Sequence, residues 1–320
     1  MRRRTGVLIA AAGIAVLAAG LVWQRQHAAH AAALRLVIRG GDGGGLPLAA
    51  PGDEHFDAAA LALAARDPAA AGLDAFIVMR HGHVVFERFG HGFSADTVID
   101  SGPFARALVA LAAGIADGDG ALSATALTDF DPGRLRAAIE SGTHQRYAEY
   151  FSQRLWARLN AAPAWIELPA VGATAPTDCC FHARVIDWMR VAGLLVNDGS
   201  FEDTQVLERG WVARMRHPLS ARSPSGFGVE LVPRGPGIPR FQTTDIFFLR
   251  GPGHWRLWLM PSLRLAVLFG APAGTSSAAS GGGGAPWDET RVPNLVLAAL
   301  VERASPTTGE SLLHQLVPGH

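Results

Sequence analysis

Residues 103–116 read PFARALVALAAGIA, with one charge, Arg106, in the whole run. At helical spacing such a segment is apolar on nearly every face, so it must be wrapped by other elements rather than laid on a surface. A 320-residue chain with 49% hydrophobic and 18% charged residues has enough material to do the wrapping. What surrounds the run sets the fold class. Before it, AFIVMR (75–80) and HVVFERF (83–89) flank His81-Gly82 and predict a β-hairpin. After it, IFFLR (246–250), WRLWLM (255–260) and LRLAVLFG (263–270) are short apolar runs separated by GPG and PS turns, which predict three antiparallel strands. FDAAALALAAR (56–66) and RVPNLVLAALVERA (291–304) predict helices at the two ends. AEYFSQRLWARL (148–159) and ARVIDWMRVAGLLV (183–196, stopped by NDG) place a helical block between them. Strands from both ends of the chain around an inserted helical region make an α+β fold, and no internal repeat is evident.

The N-terminus adds a targeting signal. Arg2, Arg3 and Arg4 precede Gly6–Trp23, an uncharged stretch about 27 Å long as a helix, which matches the hydrocarbon core of a bilayer. A transmembrane anchor over 6–23 is expected, with 1–5 cytoplasmic. The alternative is a cleaved signal peptide with AHA (29–31) at the cleavage site. Either way the rest of the chain is exported, and the anchor reading puts a single-pass protein in the inner membrane with its folded domain in the periplasm or outside the cell. Residues 24–53, ending in the glycine-rich GGDGGGLPLAAPGD, are expected to be a flexible tether. The folded domain is then 54–304, with its helical subdomain at about 104–215. The Gly/Ser run at 275–289 is expected to be a loose loop, and 305–320 a frayed tail.

Composition excludes several kinds of chemistry. Formal net charge is zero, so no basic excess points to nucleic acid. All 28 Lys+Arg residues are arginine, which rules out any lysine base or Schiff-base amine. Tyrosine occurs only at Tyr147 and Tyr150. Cys179 and Cys180 are adjacent, and Cα atoms ~3.8 Å apart fall below the usual disulfide range; buried, inert thiols are therefore expected. No cofactor is implied. His81, His83 and His91 have loose metal-like spacing, but a polar hairpin turn with surface histidines is the expected reading, so no metal is expected. Asp117, Asp119 and Gly120 resemble a calcium loop without its distal glutamate, and a simple turn is the expectation. His182 and Asp187 are assigned to a solvated or capping face. Trp255 and Trp258 fall on opposite sides of one strand, one of them in the core and the other half-covered or available for binding.

Several stretches taken in order carry a family likeness. FIVMRHGHVVFERFGHGFSADTVIDSGPFARALVALAAGIADG resembles the start of serine β-lactamase-related and penicillin-binding-protein-like hydrolases. The likeness is nearest to the branch with class C β-lactamases, esterases and 6-aminohexanoate-dimer hydrolases. CCFHARVIDWMRVAGLLVNDG, FEDTQVLERGWVARM and GPGHWRLWLMPSLRLAVLFG continue it to about residue 303. The resemblance implies a β-lactamase/transpeptidase-like fold: an antiparallel sheet, flanking N- and C-terminal helices and an inserted all-helical subdomain. It also implies acyl-enzyme chemistry on three motifs, and here each motif departs from the pattern. Ser-x-x-Lys aligns with Pro103 and Arg106. Proline has no hydroxyl, and arginine stays protonated and cannot accept a nucleophile's proton. Tyr-x-Asn aligns with Phe130 and Pro132. Lys/His-x-Gly aligns with Pro252 and His254, where proline also suggests a strand edge or bulge. The long excursion that the family places between the first two motifs is absent.

Expectations for the remaining residues follow from these departures. Pro103 suits the first turn of a helix, and Ser101 is expected to cap it. Ser101 is also the fallback nucleophile, with His81, His83, His91 or His254 as base; Ser123 is a weaker candidate. Arg106, if buried, needs a partner, and Asp129 or Asp131 is expected. The sequence therefore predicts an exported, membrane-tethered β-lactamase-like protein that has lost catalysis and binds a protein partner or an envelope ligand. The alternatives are an active esterase or amidase with relocated residues, or a scaffold that supports an active relative.

Overall fold

The computed structural model describes residues 23–66, 72–220, 223–232, 240–272 and 288–301. The expected span at 6–23 lies outside these apart from Trp23, as do most of the 275–289 loop and the 305–320 tail. Among the described residues no helix is long and apolar enough to cross a membrane.

A six-stranded antiparallel sheet organises the molecule. Its strands are β2 (Ala75–Arg80), β3 (His83–Phe89), β9 (Glu230–Leu231), β10 (Phe247–Arg250), β11 (Arg256–Met260) and β12 (Leu265–Gly270), in the order β3-β2-β12-β11-β10-β9. The hairpin and the three late strands pair as their sequences predict, and β12 joins the two ends of the chain through Val267 opposite Val78. The central strands β2, β12 and β11 are almost wholly buried because both of their faces are covered. Ile77, Met79, Leu257 and Leu268 enter one core; Phe76, Val78, Trp258 and Val267 enter the other. The second core is closed by α2 (Ala58–Ala64), which Asp57 caps through its carboxylate, and by α8 (Arg291–Ala298).

The first core holds helix α3 (Ala105–Gly118), buried from Ala107 to Ala116 and entered through a 3-10 turn at Gly102–Phe104. Around it lie α4 (Pro132–Thr143), α5 (Tyr147–Phe151), α6 (Val185–Val196) and α7 (Trp211–Met215). Helix α5 runs on through a π turn at Ser152–Trp156. Trp255 joins this core while Trp258 lies in the other, so the two do fall on opposite sides, but both are buried and neither offers a binding surface.

A second, four-stranded sheet is not anticipated by the sequence pattern. Its order is β1-β5-β6-β4, formed by β1 (Arg35–Ile38), β4 (Val98–Asp100), β5 (Ala164–Glu167) and β6 (Phe181–Arg184), while β7 (Ser200–Phe201) and β8 (Thr204–Gln205) pair as a separate short hairpin. Phe181–Arg184 is therefore strand, and the helix expected from residue 183 starts at Val185. The tether reading also needs correction. After an exposed helix α1 (residues 23–33), the chain enters β1 and then lies along the domain. Gly41 N donates to Ala161 O, Val84 N to Pro47 O and Ala49 N to Val84 O. The glycines there permit close approach rather than slack: a Cβ on Gly40 would stand 2.1 Å from Ala161 O.

The segment is pinned by buried charge. Asp187, expected on a solvated face, is fully buried and takes Arg184 Nε at 2.8 Å and Arg190 Nε at 3.2 Å. Arg184 reaches on to Gly43 O, and Arg190 to Gly44 O and Leu159 O. Hydrogen bonding to Asp187 raises the proton affinity of Arg184, whereas burial lowers that of Arg190.

Candidate functional site

The segments carrying the three candidate motif positions come together beside the β10–β11 turn of the six-stranded sheet. Gly102, at φ +46°, lies so close to the Pro252 ring that a Cβ there would stand 2.9 Å from Pro252 Cδ. That contact brings the α3 entry turn against the β10–β11 turn, and Pro103 and Pro252 are both exposed. The second motif arrives from the start of α4. The Arg106 guanidinium sits 5.2 Å from the centre of the Phe130 ring, and Phe130 packs edge-on against Phe227 at 5.0 Å. Phe227 in turn meets Trp211 at 5.8 Å. Pro132 opens α4, with Asp131 capping through Arg134 N.

Several expectations are revised by this geometry. Arg106 is half-buried and pairs with neither Asp129 nor Asp131; both carboxylates take Arg134, and the Arg106 charge rests on an aromatic face. Ser101 does not cap the helix. It is fully buried, its Oγ donating to Gly102 O at 3.0 Å and accepting from Phe181 N at 3.2 Å. Its hydroxyl is thus spent on backbone groups that join the α3 entry to β6. Pro252 lies in a turn, before a strand flanked on both sides, rather than on a strand edge.

His254 N donates to Ala271 O, and burial, reinforced by the Arg256 charge, holds its imidazole below the ordinary value of 6.5. The other histidines are engaged away from Ser101. His81 and His83 face Glu54, with Nδ1–carboxylate distances of 2.6 and 3.2 Å, and His91 faces Asp74 at 3.0 Å. Among the described residues no three His, Cys, Asp or Glu side chains are grouped to hold a metal. In the calcium-loop look-alike, Asp117 pairs with Arg214 while Asp119 accepts from Tyr150 Oη and pairs with Arg154. Ser123 bonds Thr125 at the surface. His182 stacks on Trp165 and lies 3.1 Å from Glu167.

Two features of the site escape the sequence reading. Asp100 braces the turn, its Oδ1 accepting from Gly102 N at 3.0 Å and Cys180 N at 3.1 Å. An aspartate two residues before a glycine is a local Asx-turn signal, but its second partner comes from far along the chain. Cys179 and Cys180 are not free thiols: they form a vicinal disulfide, half-buried beside this turn, with Cys180 at φ +67°.

Taken together, the sheet, the terminal helices on one face and the helical region on the other make this a β-lactamase/transpeptidase fold. The chain is similar to a penicillin-binding-protein homologue from Caulobacter crescentus, at 14% identity over 80% of this chain and 100% of that one, with a TM-score of 0.58. It is similar to a family VIII carboxylesterase at 12% identity over 79% and 99% of the chains, TM-score 0.57. A β-lactamase from Mycobacterium bovis superposes at 13% identity over 74% and 98%, TM-score 0.56. No family model and no curated protein sequence matches the chain. Identities this low establish a common fold; the chemistry has to be argued from the residues.

Proposed function

We propose that this chain is an exported β-lactamase-fold protein without serine-hydrolase chemistry, which acts by binding a protein partner or an envelope ligand. The observation that carries the reading is the contact of Arg106 with Phe130 beside the Gly102–Pro252 junction. Where the resemblance calls for an attacking hydroxyl, a base and a phenol, the meeting elements offer proline, a permanently charged guanidinium and a phenyl ring. Ser101, the nearest hydroxyl in sequence, is buried and bonded to backbone on both sides.

Export is supported by the arginine-led apolar stretch at 6–23 and by the vicinal disulfide, a bond that persists in oxidising compartments. Helix α1, exposed along its length, suits a connection leading away from the domain toward a membrane anchor.

The test uses the purified full chain. It should hydrolyse neither chromogenic esters nor β-lactams, and intact-mass spectrometry should find no fluorophosphonate or penicillin adduct. An adduct that disappears in Ser101→Ala would overturn the proposal in favour of a relocated nucleophile.

A further inference from the structure

We propose that the cavity between the β1 edge, α4 and α5 binds an organic monocarboxylate with a small apolar body. The cavity measures about 470 Å³, within the range of small-molecule sites, and none of the degenerate motif residues line it. Both apolar and cationic residues line it. Leu36, Ala148 and Ala175 are among the apolar residues, and Arg39, Arg136 and Arg146 are the three arginines.

The charges facing the cavity decide the class of ligand. Glu140 is already engaged on both oxygens: Oε2 takes Arg136 Nη1 at 3.0 Å and Oε1 takes the Tyr147 N–H at 3.0 Å. Among the described residues, neither Arg39 nor Arg146 has a carboxylate within ion-pair distance. Glu149 also lines the space, so three arginines against two glutamates leave one net positive charge. That balance fits a monoanion better than a dianion such as phosphate. Guanidinium forks match the planar two-oxygen geometry of a carboxylate. The strand edge adds rigidity: Arg39 N donates to Ser152 Oγ at 2.9 Å, and buried Ser152 is itself fixed on Ala148 O. The site stands whether or not the chain hydrolyses anything.

The test is calorimetric titration of the full chain with N-acetyl-leucine and with N-acetyl-leucinamide, which differ only in the charged group. The acid should bind about tenfold or more tightly than the amide. Arg39→Gln combined with Arg146→Gln should erase that preference. Both side chains are exposed, so the variant should keep the wild-type circular dichroism spectrum and melting temperature, which are measured alongside. Equal binding of acid and amide, an unchanged preference in the folded double variant, or no saturable binding of the acid would each overturn the proposal.

Discussion

Asp187→Ala is the sharpest test of how the N-terminal segment is held to the domain. Asp187 is fully buried, and the alanine would leave Arg190, itself 1% exposed, without its carboxylate. Removing one member of a buried ion pair costs about 3–5 kcal/mol, because the surviving charge loses its compensation and cannot regain water. Carbonyl acceptors at Leu159 and Gly44 remain for Arg190, and Asp96 for Arg184, which places the expected cost at the lower end. At about 2–4 °C per kcal/mol for a domain of this size, the melting temperature should fall by ~6–12 °C. Thermal unfolding followed by far-ultraviolet circular dichroism reads this directly. A second readout isolates the mechanism. Since Arg184 and Arg190 hold the Gly43 and Gly44 carbonyls, limited proteolysis should cut the variant faster around residues 40–46 than elsewhere. A melting temperature within about 2 °C of the parent, with unchanged cleavage, would refute the claim that this cluster fastens the segment.

Three further outcomes are expected. Arg106→Met exchanges a cation–π contact of about 0.5–1 kcal/mol for a sulfur–aromatic contact of similar size, so its melting temperature should stay within about 3 °C of the parent; a larger loss would mean that Arg106 has an ion-pair role. Reduction of Cys179–Cys180 with a phosphine should speed amide exchange at Cys180 and Gly102 together, because one Asp100 oxygen holds both, and mass-resolved hydrogen exchange that leaves Gly102 unaltered would break the link. For His254 the folded state disfavours the proton, so between the lowered value and 6.5 the unfolded chain binds more of it. The contribution is present above about pH 6.5 and is lost as pH falls through the lowered value; a melting-temperature profile from pH 7.5 to 5 should be flatter in His254→Gln.

The two-faced sheet was legible because its strands bury residues on both sides, which leaves unbroken apolar runs such as LAVLFG. The four-stranded sheet was not. Val98–Asp100 and Phe181–Arg184 are three and four residues long, and partners such as Arg35 and Glu167 lie far apart in sequence. The glycine-rich run misled for a related reason: glycine marks both slack chain and backbone pressed against backbone, and only a partner such as Ala161 O tells them apart. At the site, the structure places Arg106 against Phe130 and Gly102 against Pro252, contacts that the sequence pattern gave no means of specifying. The charge on Arg106 suggested an acid, and the structure supplied a ring.

That contact explains how such a fold can keep its shape with an arginine at this position. The start of α3 needs a residue that tolerates helical φ and lacks an obligatory N–H partner, and Pro103 supplies both. The turn before it is held by Asp100 and by the Ser101–Phe181 bonds, which occupy the Ser101 hydroxyl in backbone contacts. A guanidinium at Arg106 cannot lose its proton, but its flat face can cover Phe130, whose other neighbour Phe227 leads into the main core. Pro103 in the entry turn and Arg106 against Phe130 thus each have a packing role that needs no reactive group. The same independence means that restoring one group, as in Pro103→Ser, should return no hydrolysis. Arg106 would still be protonated and Phe130 would still lack a hydroxyl, so a turnover assay on that single variant should stay at background, and measurable ester cleavage would show that another base is already in place.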